Sequence, residues 1–164
     1  MTLAYVGLGA NIGDPPAAIE RAVSEIRALP GTLLLRQASR YCTAPVGLLD
    51  QPDFMNTVVE IETSLTPEVL LQRFQMIELA LGRQPTVHWG PRVIDLDLLL
   101  FGDVTLATAE LTVPHAQMWR RLFVIAPLAE LRPDLNDPDG VSILTRCAQL
   151  SHSQCVQREH AGIP

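Results

Sequence analysis

The feature that most constrains this chain is a pair of aspartates set into an otherwise apolar run, Val93-Ile94-Asp95-Leu96-Asp97-Leu98-Leu99-Leu100-Phe101. Read as a strand, the run puts side chains two apart on one face, roughly 6.6 Å from each other along the chain. Asp95 and Asp97 then stand together, while Ile94, Leu96 and Leu98 point the other way, into a core. Two like charges on a half-buried surface repel each other and are costly to desolvate. A divalent cation relieves both problems, and paired carboxylate oxygens suit magnesium with phosphate oxygens as further ligands. The spacing can share two ions that clamp a phosphate chain from either side. Arg92, three positions before Asp95, offers a forked donor for phosphate oxygens. On spacing alone the bland alternative is a strand edge with two solvated aspartates; the apolar flanks and the preceding Arg weigh toward metal.

The rest of the chain supplies a frame for that strand. Leu3 to Leu8 reads as a first strand. Asp14 caps a helix with Pro15 at its first position, and Ile19, Ala22, Val23, Ile26 and Leu29 follow at helical spacing. Pro30-Gly31 stops it. Leu33 to Cys42 and Asn56 to Thr63 read as strands, the second alternating Val59 and Ile61 with Glu60 and Glu62. Thr66-Pro67 opens a second helix with Leu70, Phe74, Ile77 and Leu81 on one face and Gly82 as its stop. The order strand, helix, strand, strand, helix, strand is that of a ferredoxin-like α+β sandwich: an antiparallel sheet with helices packed on one face, followed by short C-terminal helices between His115 and Leu131. One domain spanning 1–164 is expected, in which residues 136–164 form a weakly patterned and partly mobile tail.

Composition narrows the function. A net charge of −6 speaks against nucleic acid as a partner, although a local cluster of Arg can still hold a small phosphate ligand. Cys42, Cys147 and Cys155 are odd in number and irregularly spaced, which suits reduced thiols in the cytoplasm better than disulfides or zinc. The N-terminus lacks the basic lead and apolar stretch of a secretory signal, and no uncharged apolar run reaches about 18 residues, so no membrane span is expected.

The run Trp89-Gly90-Pro91-Arg92-x-x-Asp95-Leu96-Asp97-Leu98-Leu99 resembles the signature of the 6-hydroxymethyl-7,8-dihydropterin pyrophosphokinase family of folate biosynthesis. Four further segments resemble that family in the same order: Gly9-Ala10-Asn11-Ile12-Gly13-Asp14, Thr43-x-Pro45-x-Gly47, Asp50-Gln51-Pro52-x-Phe54-x-Asn56 and Leu111-Thr112-Val113-Pro114-His115. The resemblance covers about residues 3 to 135. It implies transfer of pyrophosphate from ATP to the pterin hydroxymethyl group, with two Mg2+ ions held by Asp95 and Asp97 and with Arg92 in the catalytic set. It places Gln75, Glu78, Arg83, Arg92, Thr112, His115 and Arg121 on the ATP side, and Thr43, Pro45, Val46, Phe54, Asn56, Trp89 and Phe123 on the pterin side. A flat heterocycle with an amide and an amino group on one edge suits such a set, because aromatic rings stack on its faces while Asn56 pairs with its edge. Read in isolation, Phe54 and Phe123 are ordinary core residues and Gln75 and Glu78 an ordinary helix surface. The resemblance also leaves room for other folate-pathway enzymes as partners. The loops Ala44 to Asp53 and Arg83 to Pro91 flank the expected site, and closure over bound substrates is expected of them.

Glu110 departs from the pattern: some family members have an arginine there, and a carboxylate cannot neutralise phosphate. The 83–88 stretch also lacks extra basic residues, for which Arg120 beside Arg121 is a partial substitute. Three rivals follow from the same residues. Gly7-x-Gly9-x-x-x-Gly13 has the wrong spacing for a dinucleotide loop. A metal-dependent phosphohydrolase would account for the aspartates but not for the pterin-like loop. A binding module that has lost its chemistry is the reading that Glu110 favours.

Overall fold

The computed structural model describes residues 1–43, 50, 52–82 and 93–159. Its centre is an antiparallel sheet in the order β5 (Asp95–Phe101), β1 (Thr2–Ala10), β4 (Phe54–Thr63), β3 (Tyr41–Thr43), β8 (Val156–Arg158), with β2 (Thr32–Gln37) also paired to β4. A two-stranded ribbon, β6 (Leu106–Ala107) with β7 (Thr112–Val113), leads away from β5. The helices start where short polar side chains can take up free N–H groups. Asp14 accepts from the Ala17 N–H at 3.2 Å to open α1 (Pro15–Arg27), and Thr66 accepts from the Val69 N–H at 3.2 Å to open α2 (Pro67–Ala80).

α1 and α2 cover one face of the sheet. Their apolar stripes, including Ile19, Val23, Ile26, Leu70 and Phe74, close on Val6, Leu8, Val59, Ile61, Leu96 and Leu98. The opposite face has a core of its own. There α3 (Leu122–Leu131) and α4 (Ile143–Leu150) pack Ile125, Leu128 and Ile143 against Tyr5, Val58 and Leu99, with Met118 of a short 3-10 turn (Met118–Arg120) buried among them. The short C-terminal helices thus form a third layer. The sheet can be apolar on both faces because both are covered.

A bulge reconciles this with strict alternation. Val6 pairs with Leu98, yet the next residue back, Tyr5, pairs with Leu100, so Leu99 is the extra residue. Leu96 and Leu98 belong to the α1–α2 core and Leu99 to the α3–α4 core, against which Leu100 also packs; Phe101 returns to the first. An unbroken run of apolar residues therefore serves two cores in turn.

Two segments differ from the sequence expectation. The single strand expected at Leu33–Cys42 is interrupted at Ala38–Arg40. There the Thr57 hydroxyl donates to the carbonyls of Ala38 and Ser39, at 2.9 and 3.2 Å. The Ser39 N–H and hydroxyl donate to Glu130 of α3, at 3.1 and 3.0 Å. The break in the ladder is what ties α3 to the sheet. The tail expected to be weakly structured contains α4 and β8. Ser142 caps α4 by accepting from the Thr145 N–H at 3.1 Å, and β8 pairs residue for residue with β3.

Two carboxylates, buried Glu60 and half-buried Glu130, fix the third layer. Glu60 of β4 accepts both forks of Arg36, each at 2.9 Å, and the Tyr5 hydroxyl, while Arg36 also reaches the Leu131 carbonyl at the end of α3. The guanidinium holds the Glu60 carboxyl below the usual carboxylate range against the opposing pull of burial, helped by Tyr5. Glu130 accepts from Ser39 and from the Tyr41 hydroxyl. Burial pulls the Glu130 carboxyl upward, but these donors outweigh it and leave it lowered. Among the described residues no helix is long and apolar enough to cross a membrane.

Candidate active site

The site begins with two glycines in β1. Gly7 pairs with Asp97 of β5 on one side and Val58 of β4 on the other; Gly9 pairs with Asp95 and Asn56 in the same way. Directly opposed residues of antiparallel strands share a face. Asp95, Asp97 and Asn56 thus project from the α3 face of the sheet, beyond the end of the core that α3 covers. Where the glycines sit the surface has no side chain. At Gly9 a side chain would displace Asn56: a Cβ there would lie 2.5 Å from the Asn56 Oδ1.

On the β5 side of Gly9 lies an open cleft of about 530 Å3. Asp95, Asp97, Thr112, His115 and Arg121 line it, together with Glu110. Asp97 is exposed, and among the described residues its carboxylate has neither a hydrogen bond nor an ion pair. His115 is placed by backbone: its N–H donates to the Leu99 carbonyl at 2.9 Å, which lays the exit from β7 along the outer edge of β5. Its Nδ1 accepts the Gln117 N–H at 3.2 Å, so in the neutral ring the proton sits on Nε2. The Arg121 guanidinium lies over the Phe123 ring, 5.8 Å from its centroid, which gives the cation a flat support.

The α2 pair behaves differently. Leu71 reaches the cleft, and Gln75 one turn later is exposed. Glu78 is only 5% exposed and accepts the Leu96 N–H at 3.2 Å. Among the described residues β5 is an edge strand, so this carboxylate takes up a backbone donor that none of the described strands satisfies. Glu78 therefore seals the sheet edge behind the aspartates and does not line the cleft.

On the β4 side of Gly9 the surroundings are closed. Asn56 is 8% exposed and its Nδ2 is a buried donor with no hydrogen-bond partner among the described residues. Buried polar groups are nearly always satisfied, so such a donor marks a place prepared for something else. Thr43 and half-buried Phe54 face each other across β3 and β4 beside it. Asn11, 1% exposed, holds the Pro52 carbonyl at 3.0 Å and so ties the first turn to the segment leading into β4. Pro45, Val46, Arg83, Trp89 and Arg92, and nearly all of the two loops expected to close, lie outside the described residues.

The donor set bears on the metal implied by the sequence. Among the described residues no three acidic, His or Cys side chains cluster tightly enough to hold an ion by themselves. Two carboxylates beside open space leave the remaining positions of an octahedral ion to phosphate oxygens and water, which is how magnesium is usually held at phosphate sites. The residues fit such an ion when it arrives with a phosphate chain.

In the sequence Gly7 and Gly9 stand out only in an unsuitable dinucleotide motif and, for Gly9, in one segment of the family resemblance; nothing there points to Gln154. The glycines carried a usable signal: two of them, spaced by two in an apolar strand, mark a stretch of one face that other groups approach closely, as Asn56 does at Gly9.

A pleated surface stripped of side chains, with paired acids on one flank and an unsatisfied amide on the other, defines an enzyme that handles a phosphate chain beside a second, hydrogen-bonding substrate. The comparisons say which: residues 5–133 match the 7,8-dihydro-6-hydroxymethylpterin-pyrophosphokinase (HPPK) family, and the chain belongs to it. It is 46% identical over 136 residues to the 2-amino-4-hydroxy-6-hydroxymethyldihydropteridine pyrophosphokinase of Pseudomonas aeruginosa, covering 83% of this chain and 84% of that one. To the Bacillus subtilis enzyme of the same name it is 47% identical over 129 residues, 79% and 77% of the two chains. The Haemophilus influenzae enzyme is 38% identical over 157 residues, 96% and 98% of the two. In fold it resembles the crystal structure of an HPPK-DHPS in complex with substrates, with a TM-score of 0.74 at 12% identity over 93% of this chain; the chain spans only 44% of that longer protein. The Plasmodium falciparum HPPK-DHPS with pteroate gives a TM-score of 0.73 at 14% identity, over 90% of this chain and 42% of the other. The family match ends before α4 and β8.

Proposed function

We propose that this chain transfers a pyrophosphoryl group from ATP to the hydroxymethyl group of 6-hydroxymethyl-7,8-dihydropterin, giving AMP and the pterin diphosphate, in folate biosynthesis. Its family membership and its relatives' names support the reaction. One observation supports the placing of substrates: Asp95 and Asn56 flank the same glycine on the same face. The strands on either side of β1 are about 10 Å apart. A pterin whose edge pairs with Asn56 then points its hydroxymethyl arm across Gly9 toward phosphates held at Asp95 and Asp97.

In this reading the pterin hydroxyl oxygen attacks the β-phosphorus in line. A new O–P bond forms, the bond between that phosphorus and the α-phosphate oxygen breaks, AMP leaves, and the hydroxyl proton passes to solvent. Two magnesium ions bound through Asp95 and Asp97 would neutralise charge on the phosphate chain. Arg121, braced on Phe123, and His115, with Nε2–H free to donate, hold phosphate oxygens from the other wall of the cleft. Thr112 adds a hydroxyl at the cleft rim. Gln75 and Arg83 on the ATP side, and Arg92, three positions before Asp95 in sequence, complete the set. Thr43, Pro45, Val46, Phe54, Trp89 and Phe123 are assigned to the pterin side. No residue need form a covalent intermediate: positioning and charge neutralisation suffice. Glu110 lines the cleft with a carboxylate that cannot neutralise phosphate, so nucleotide affinity rests on the arginines, His115 and the metals.

The test is nucleotide analysis after incubation with magnesium, ATP and the reduced pterin. AMP that forms only with pterin, and is lost with EDTA, is the expected result. ADP, or phosphate released without pterin, would establish the hydrolase instead.

A further inference from the structure

Arg121 occupies a weak position in the chain. It is the residue before the first turn of α3, with φ −121° and ψ 105°, and its own side chain makes no capping hydrogen bond. A helix start without a cap leaves free N–H groups and frays. Here a distant residue completes it. Gln154, which follows α4, accepts the Leu122 N–H on its Oε1 at 2.9 Å and donates from Nε2 to the Arg120 carbonyl at 2.8 Å. One amide thus grips the backbone immediately before and immediately after Arg121. Gln154 is itself anchored, since its N–H donates to the Leu150 carbonyl at 2.8 Å. The next two residues reach the other half of the site: the Cys155 carbonyl accepts the Thr43 hydroxyl at 3.0 Å, and Val156 pairs with Thr43 in the β3–β8 ladder.

We infer that Gln154 is a positioning residue for the nucleotide: its side-chain amide fixes the backbone on both sides of Arg121 and so aims the guanidinium into the cleft, while the following residues tie the same segment to Thr43. The inference rests on the reading of Arg121 as a phosphate contact. It assigns part of the site to a stretch of chain beyond the family match, and it makes the relative placement of the two substrate halves depend on three consecutive residues of the tail. A guanidinium on an unpinned helix start would still bind phosphate, but would spend less time in the required direction.

A double-mutant cycle between Gln154→Ala and Arg121→Ala, read as KM for MgATP, kcat, and pterin affinity, tests this. Gln154→Ala is expected to raise the KM for MgATP about tenfold, with kcat and pterin affinity within about twofold, the size expected for two lost hydrogen bonds acting through one side chain. In the Arg121→Ala background the same change is expected to add nothing. Should Gln154→Ala prove too unstable, Gln154→Glu keeps the acceptor for the Leu122 N–H, loses the donor toward the Arg120 carbonyl, and enters the same cycle. If Arg121→Ala raises the KM and Gln154→Ala does not, the positioning role is wrong. Equal effects of Gln154→Ala with and without Arg121 would mean general loosening, which also overturns it. If Arg121→Ala itself leaves the KM for MgATP unchanged, the assignment of Arg121 as a phosphate contact fails, and this inference with it.

Discussion

The two flanks of Gly9 solve opposite problems with the same sheet. On the β5 flank the functional groups are charged and remain open to water: Asp97 is exposed, and the cleft beside it is wide. On the β4 flank the functional group is neutral and buried, an amide with an unmet donor and less than a tenth of its surface exposed. Desolvating a carboxylate without a partner costs far more than desolvating an amide. On the proposed reading, an acid that takes up a cation is best kept solvated, as Asp97 is, whereas an amide that recognises a flat neutral ring can be kept buried, as Asn56 is. Chemistry and recognition would then be separated by one glycine because their resting states tolerate different amounts of water.

The comparison can be broken most sharply at Asp97. Asp97→Asn is expected to lower the rate of AMP formation roughly a thousandfold, the scale of losing metal-held charge stabilisation. The melting temperature should hold or rise, because a like charge beside Asp95 is removed. A large fall in stability would show that Asp97 is part of the frame and not a waiting ligand. The next effect is expected at the divide itself. Gly9→Ala puts a methyl carbon 2.5 Å from the Asn56 Oδ1. Pterin affinity should fall at least about tenfold and stability by about 1–3 kcal/mol, the usual range for overpacking. Calorimetry should still find MgATP binding nearly unchanged.

Asn56→Leu sharpens the contrast from the other side. Pterin binding should weaken about tenfold for the lost hydrogen bonds, while urea unfolding shows no loss of stability, since a buried unsatisfied donor is replaced by an apolar group. The smallest effect is expected far from both flanks. The Glu60 carboxyl is lowered below its unfolded value near 4.5, so its contribution to stability is present above that pH and disappears as pH falls through the folded value. Glu60→Gln should cost on the order of 1 kcal/mol at pH 7, modest because Arg36 is half exposed, and nothing once the wild-type carboxyl is protonated. Urea midpoints at pH 7 and pH 3 measure the difference. Activity at neutral pH should be unaffected.

Much of this was legible in the sequence, for identifiable reasons. The helices at α1 and α2 announce themselves through Asp14-Pro15 and Thr66-Pro67, because a cap followed by proline is a local instruction. Asp95 and Asp97 stand out because two charges in an apolar strand violate the pattern around them. What stayed hidden depends on contacts between distant residues. Ser39 breaks its strand because Glu130, 91 positions later, claims its N–H. Glu78 reads as helix surface until β5 turns out to be an edge strand with a donor to satisfy. Gln154 sits in a segment with little periodicity, and nothing near it in sequence hints that it touches both neighbours of Arg121.

The extra residue at Leu99 has a consequence for how such a chain can change length. Upstream of it, odd positions face the cleft or the α3 core and even positions face the α1–α2 core; downstream the phase is inverted. Replacing Leu99 by another apolar side chain preserves that switch. Deleting it takes the bulge out without turning any neighbour over: Leu98 stays opposite Val6 and Leu100 opposite Tyr5, so each keeps its face and only the Leu99 side chain is lost from the α3–α4 core. A single-residue deletion should therefore be tolerated at Leu99 better than at Leu96, where the same loss turns one of the aspartates to the other face, and a deletion library along β5 would reveal that asymmetry directly.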